Sequence, residues 1–154
     1  MPRRPPRLPP LMAEFDDDER EAVLAANRAF YRAFAERDVD AAVACFTPDG
    51  AAYGDDLGEH AHGHEELAFF LAEVFEEQFT LTWEAQEVWA RRRGGVLWFV
   101  ARTEAVLTYP EGIVERVPFQ LSGTLSHSRR HGWRFELFNG TQPVTQAREL
   151  LIRA

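Results

Sequence analysis

The chain has a single cysteine, Cys45, so no internal disulfide can form, which fits a reducing compartment and a cytoplasmic location. Val39, Ala42, Val43 and Phe46 surround Cys45 at helical spacing, so it reads as a small core residue rather than a nucleophile. No apolar run approaches the roughly 18 residues that a membrane span requires, and no membrane partner is expected. Cations are the minority charge, 17 against 25 carboxylates, for a net charge of -8. That balance repels a phosphate backbone, and no nucleic-acid partner is expected. The few basic clusters lie near the start and in two turns, Arg91-Arg92-Arg93 and Arg129-Arg130. Both turns fall at one end of a strand array, where they read as solvated charge, with a small anion-attracting rim as the alternative. The opening Met1-Pro-Arg-Arg-Pro-Pro-Arg-Leu-Pro-Pro10 has the charge of a signal segment without the apolar run that would follow one. Residues 1–15 are therefore expected to be a disordered Pro/Arg-rich extension, with Met12 as an alternative start.

What the sequence does have is aromatic bulk, 12 Phe and 4 Trp in 154 residues, enough to line one core or an apolar cavity. One domain is expected over 16–146, with 147–154 as a tail. From Asp16, Ala22, Ala26, Ala29, Phe30, Ala33 and Phe34 form an apolar stripe at three- and four-residue spacing, which predicts a helix ending near Arg37. Asp38 caps a short second helix over 39–46, and Pro48 disfavours helix at the residue before it. Residues 51–53 suggest a short edge strand, 54–64 a polar loop, and 65–78 a third helix with Leu67, Phe70, Leu71, Val74 and Phe75 on one side. Four strand-like runs follow, 79–90, 96–109, 114–128 and 133–141, separated by Gly-containing turns. Helices first and a meander last define an α+β domain with helices packed on one face of a curved sheet.

This order is similar to the cone-shaped nuclear transport factor 2-like superfamily, which includes the ketosteroid isomerases and the SnoaL-like polyketide cyclases. The resemblance rests on residues 30–50 (from Phe30-Tyr-Arg-Ala-Phe to Thr47-Pro-Asp-Gly50), on Gly63-His-Glu-Glu-Leu67, and on Gly132-Trp-Arg-Phe-Glu-Leu-Phe-Asn-Gly-Thr-Gln-Pro143. It implies a cone-shaped α+β barrel, three helices on a mainly antiparallel sheet. It also implies an apolar pocket between sheet and helices and a homodimer through the other sheet face. Matched to the isomerase pattern, the oxyanion-hole tyrosine falls on Phe30, with Tyr31 adjacent. The general-base aspartate falls on Gly54, with Asp55 adjacent, and the second oxyanion donor falls on Gln120. The final strand carries Leu137, Asn139 and Thr141 where SnoaL-like relatives often have histidines and a serine, so two proton carriers are missing.

The resemblance thus implies a pocket for a small apolar molecule, lined by Phe30, Phe34, Trp98, Gln120, Ser122 and Asn139. If it is catalytic, the expected chemistry is cofactor-free isomerisation, cyclisation or dehydration of a carbonyl compound, with Asp55 or His64 as base and Tyr31 or Gln120 polarising the carbonyl. The alternative is a non-catalytic ligand-binding or dimeric assembly module of the same fold. No cofactor and no metal site are expected. His60, His62 and His64 could in principle gather a divalent ion, but the stretch lacks a rigid element to set the angles, and a solvated loop is the default. On the third strand of the meander, Gln120, Ser122 and Thr124 alternate with Phe119, Leu121 and Leu125. The isomerase match turns the polar set inward, and the opposite assignment places it in a hydrated interface. On the second strand, Arg102 and Glu104 are expected to pair with neighbouring strands.

Overall fold

A computed structural model describes residues 10–55 and 57–143, with side chains from Asp18 onward. Helix α1 (Pro10–Glu36) is followed by α2 (Val39–Ala44), β1 (Phe46–Tyr53), β2 (His60–His62), α3 (Gly63–Phe75), β3 (Thr80–Arg93), β4 (Val96–Thr108), β5 (Val114–Ser128) and β6 (Gly132–Thr141). Helix α1 begins at Pro10, ahead of the Asp16 start expected from the apolar stripe. Residues 1–9 and the expected tail at 147–154 lie outside the described residues. None of the described helices is long and apolar enough to cross a membrane.

The six strands form one sheet in the order β2-β1-β6-β5-β4-β3. The four-strand meander is as expected, and β1 joins it by pairing parallel to β6. The sheet is open, with β2 and β3 at its edges, so the cone is a bent sheet rather than a closed barrel. Register shifts between Ala85 and Glu87, between Thr124 and Leu125, and between Phe46 and Ala51 mark where strands bend. Gly123 sits beside one of these shifts, and a Cβ there would fall on the Leu137 carbonyl oxygen. Only glycine lets β5 and β6 approach so closely.

Two stretches depart from expectation. Residues 46–53 form an interior strand, not a three-residue edge, because β2 covers its outer side: Ala51, Ala52 and Tyr53 pair with His62, Ala61 and His60. The expected loop over 54–64 therefore contains a strand and the start of α3.

The helices cover one sheet face. Phe30 is 2% exposed and lies at the centre of a ring cluster, with centroids of Phe34, Phe46, Trp83, Phe135 and Phe138 between 4.9 and 5.7 Å away. Mostly edge-on aromatic packing of this kind adds to the burial of the rings themselves. The helix ends are tied by Arg37, which takes a left-handed φ of 52° after α1. Its guanidinium donates to the carbonyls of Phe75 at 2.6 Å, Glu77 at 2.9 Å and Phe79 at 3.2 Å, satisfying acceptors freed where α3 ends. Asp38 then caps α2, its Oδ1 accepting from the Ala41 amide at 3.0 Å.

Candidate functional site

Leu24, Asn27, Arg28 and Tyr31 recur at three- and four-residue spacing along one flank of α1, so they share a face. That face borders a cleft of about 350 Å³ closed on its far side by Thr82 to Ala85 of β3, Glu104 and Val106 of β4, and Arg116 of β5. The volume falls in the range of small-molecule sites, roughly 300–1,000 Å³. The β3 bulge after Ala85 lies at this edge, and bulges commonly re-aim side chains beside sites.

Two residues that line the cleft each hold a buried polar atom left unpaired among the described residues. Asn27 is 3% exposed and donates an amide N–H to the Val23 carbonyl at 2.9 Å, while its Oδ1 has no partner among the described residues. Trp83 is 6% exposed, and its indole Nε1–H also has no partner among the described residues. A buried acceptor and a buried donor left open each cost about 1–3 kcal/mol, so such groups are rare without a reason. Beside them Tyr31 packs edge-on to Trp83 at 6.3 Å, and Arg116 pairs with Glu104 at 2.9 Å. Glu104 thus reaches β5 as expected, and Arg102 reaches Glu87 at 3.8 Å in an exposed, weak pair.

The residues proposed from sequence are scattered. Tyr31 lines the cleft. Phe30 and Phe34 belong to the ring cluster that fills the space between helices and sheet. On β5 the burial alternation runs opposite to the inward assignment of Gln120. Leu121, Gly123 and Leu125 are buried and Phe119 packs on the core, whereas Gln120 is exposed. The correction has a simple cause: turning Gln120 inward would expel Leu121 and Leu125 to solvent. Register carries the neighbours with it, since Ser122 lies opposite Val100 and Asn139, and Trp98 opposite Thr124. Trp98, Gln120, Ser122 and Asn139 therefore share the outer sheet face, away from the helices.

Asp55 accepts a hydrogen bond from the Gln142 amide at 2.7 Å, beyond the end of β6. His64 sits half-buried at the start of α3, with Nε2 donating to the Phe46 carbonyl at 2.9 Å. Asp55 is thus anchored beyond the C-terminal end of β6, whereas His64 is anchored at Phe46, which pairs with Phe135 near the start of β6. Neither Asp55 nor His64 lines the cleft. His60 and His62 flank the buried Ala61 on β2 and turn toward Tyr53, whose hydroxyl lies 2.7 Å from His62 Nε2. His64 turns the other way.

A family model for the SnoaL-like domain matches residues 27–130, more than half of the chain. The chain belongs to the SnoaL-like domain family. Solved structures agree with this SnoaL-like assignment. A ketosteroid isomerase-like protein from Erwinia carotovora atroseptica SCRI1043 is 25% identical with a TM-score of 0.65, over 83% of this chain and 98% of its own. A candidate dehydratase of the NTF2-like family from Streptomyces avermitilis superposes with a TM-score of 0.72 at 14% identity, over 84% and 99%. An NTF2-like superfamily protein from Salmonella enterica serovar Typhimurium LT2 gives 0.69 at 12% identity, over 84% and 94%. At 14% and 12% identity the last two share the fold alone. No curated protein matches the sequence.

Sequence reasoning missed Asn27 and Trp83 as site residues. The signal for Asn27 was present: it stands at i+4 from Val23 and i–3 from Phe30, an amide in the middle of a buried stripe. Trp83 is a core ring, and only the structure reveals that its N–H has no partner among the described residues.

Proposed function

We propose that this SnoaL-like domain binds a small molecule in the cleft between α1 and the β3–β5 edge, and that it acts as a ligand-binding module. The observation that carries this reading is that Asn27 and Trp83, on facing sides of the cleft, each hold a buried polar atom, Oδ1 and Nε1–H, with no partner among the described residues. A ligand offering one acceptor and one donor, such as an amide or a hydroxy-carbonyl compound, would satisfy both while its apolar part rests against Tyr31, Leu24 and Val106. The catalytic alternative needs a base and an acid on one substrate. Of the four residues expected to serve it, Asp55, His64, Tyr31 and Gln120, only Tyr31 borders the cleft, and the anchoring of Asp55 and His64 toward opposite ends of β6 argues against their acting together.

A fragment screen of small amides and carbonyl compounds, read by thermal shift, tests the binding reading. Hits whose stabilisation disappears in both Asn27→Leu and Trp83→Phe support it. Hits that ignore both substitutions sink it, and turnover of any hit with loss in Asp55→Asn would favour the enzyme.

The outer sheet face supports a homodimer. Trp89, Val96, Val100, Leu137 and Tyr53 are between 37% and 43% exposed, and most lie on that face beside Trp98 and Asn139. Such a patch calls for a partner surface, and a Val100→Glu variant is expected to turn a dimer into a monomer by light scattering.

A further inference from the structure

The other flank of α1 borders a second depression. Ala29 on α1, Ala41 and Ala44 around α2, and Cys45 leave a trough where larger side chains would fill the seam, and the surface groove above it measures about 400 Å³. The floor is apolar, and burial pushes the Cys45 thiol up to about 11 from 9.0, as expected for a poorly hydrated seam. The Trp133 indole forms one wall. The Arg92 guanidinium lies 5.1 Å from its ring centroid.

Two arginines give the rim its positive charge. Arg32 and Arg134 border the groove, together with His131. Neither Arg32 nor Arg134 forms an ion pair with a carboxylate among the described residues. The crowding is real: partial desolvation, then the charges of Arg134 and Arg130, push His131 below its ordinary range. The two arginine-bearing turns also meet here, since the His127 amide donates to the Gly95 carbonyl at 2.9 Å and so links the β3–β4 turn to the end of β5. In a chain of net charge -8, two arginines with no carboxylate at ion-pair distance among the described residues form a local anion site in electrostatic terms.

We infer that this groove binds a small free amphiphile with a carboxylate headgroup, the carboxylate on Arg32 and Arg134 and a short aliphatic chain along Ala29, Ala41 and Ala44. Arginine presents paired N–H donors that match a carboxylate fork, and each buried methylene strengthens binding by about fourfold. The site is separate from the cleft on the β3 side and does not depend on it.

Titrating the full chain with octanoate, octanol and acetate, read by tryptophan fluorescence with Trp133→Phe to assign the signal, tests the inference. Octanoate is expected to bind at least tenfold more tightly than octanol and acetate. The Arg32→Gln/Arg134→Gln double variant should lose at least tenfold for octanoate and nothing for octanol. Equal binding of octanoate and octanol, an unchanged double variant, or a response only to anionic vesicles would overturn it. If the double variant fails to fold, raising salt from 0.05 to 0.5 M on the unmodified chain should weaken octanoate binding, and salt-insensitive binding would overturn the inference equally.

Discussion

The two flanks of α1 carry opposite kinds of unsatisfied chemistry. Toward β3, Asn27 and Trp83 leave a neutral acceptor and a neutral donor buried and open. Toward α2 and β6, Arg32 and Arg134 hold charges over an apolar floor with no ion pair to a carboxylate among the described residues. The first arrangement costs stability and gains direction, because a buried hydrogen bond demands geometry. The second costs little, because water solvates the charges, and it gains charge selectivity that salt can erase. Binding on the β3 flank should therefore depend on hydrogen-bond pattern and resist salt, while binding on the α2 flank should follow charge and weaken in salt.

Both flanks depend on one docked helix, so the largest effect is expected from Phe30→Ala. It hollows the ring cluster at its centre and should lower stability by about 3–5 kcal/mol in urea denaturation, with loss of both sites. A loss below about 1 kcal/mol would mean that α1 is held by something else. Arg37→Ala should cost about 1–2 kcal/mol, discounted for its exposure, by freeing the carbonyls of Phe75, Glu77 and Phe79. Arg37→Lys, with a single ammonium in place of the fork, should recover only part of it.

Trp83→Phe separates the flanks. It keeps a ring in the cluster and removes the orphaned N–H, so stability should stay within about 1 kcal/mol of the parent while cleft binding falls. Octanoate binding on the other flank should not change.

The smallest effect concerns Cys45. With its thiol near 11 in the folded chain and 9.0 as the unfolded reference, the native protein stays neutral where the unfolded chain ionises. Stability is then full below pH 9 and declines as pH rises toward 11, by under about 1 kcal/mol at pH 9.5. Alkylation by iodoacetamide at pH 8 should run about 100-fold slower than for an unshifted thiol. A rate equal to that of the unfolded chain would mean that the α2 seam is open.

How much of this was legible in the sequence varies by element. The meander was readable because its turns carry Gly94, Gly112 and Gly132, each at positive φ, between runs of period two. Strand β2 was not, because His60-Ala61-His62 is three residues of polar composition whose only strand signal is its partner β1. The faces of β5 were readable in principle: Phe119, Leu121 and Leu125 alternate with polar residues, and burial of apolar surface outranks an alignment to a distant family that places Gln120 inward. The Arg37 clamp left no trace, since an arginine at positive φ is rare and its carbonyl partners are 38 to 42 residues away. The cleft was half visible, through Tyr31 and the misplaced polarity of Asn27.

The most direct test of the cleft is the indole N–H spectrum of the ¹⁵N-labelled chain, which has 4 tryptophans, titrated with the tightest amide or carbonyl hit from the fragment screen. The resonance absent from Trp83→Phe should move downfield as Nε1–H gains an acceptor, while those of Trp89, Trp98 and Trp133 stay in place. A saturating ligand that leaves the Trp83 resonance where it was would contradict the account.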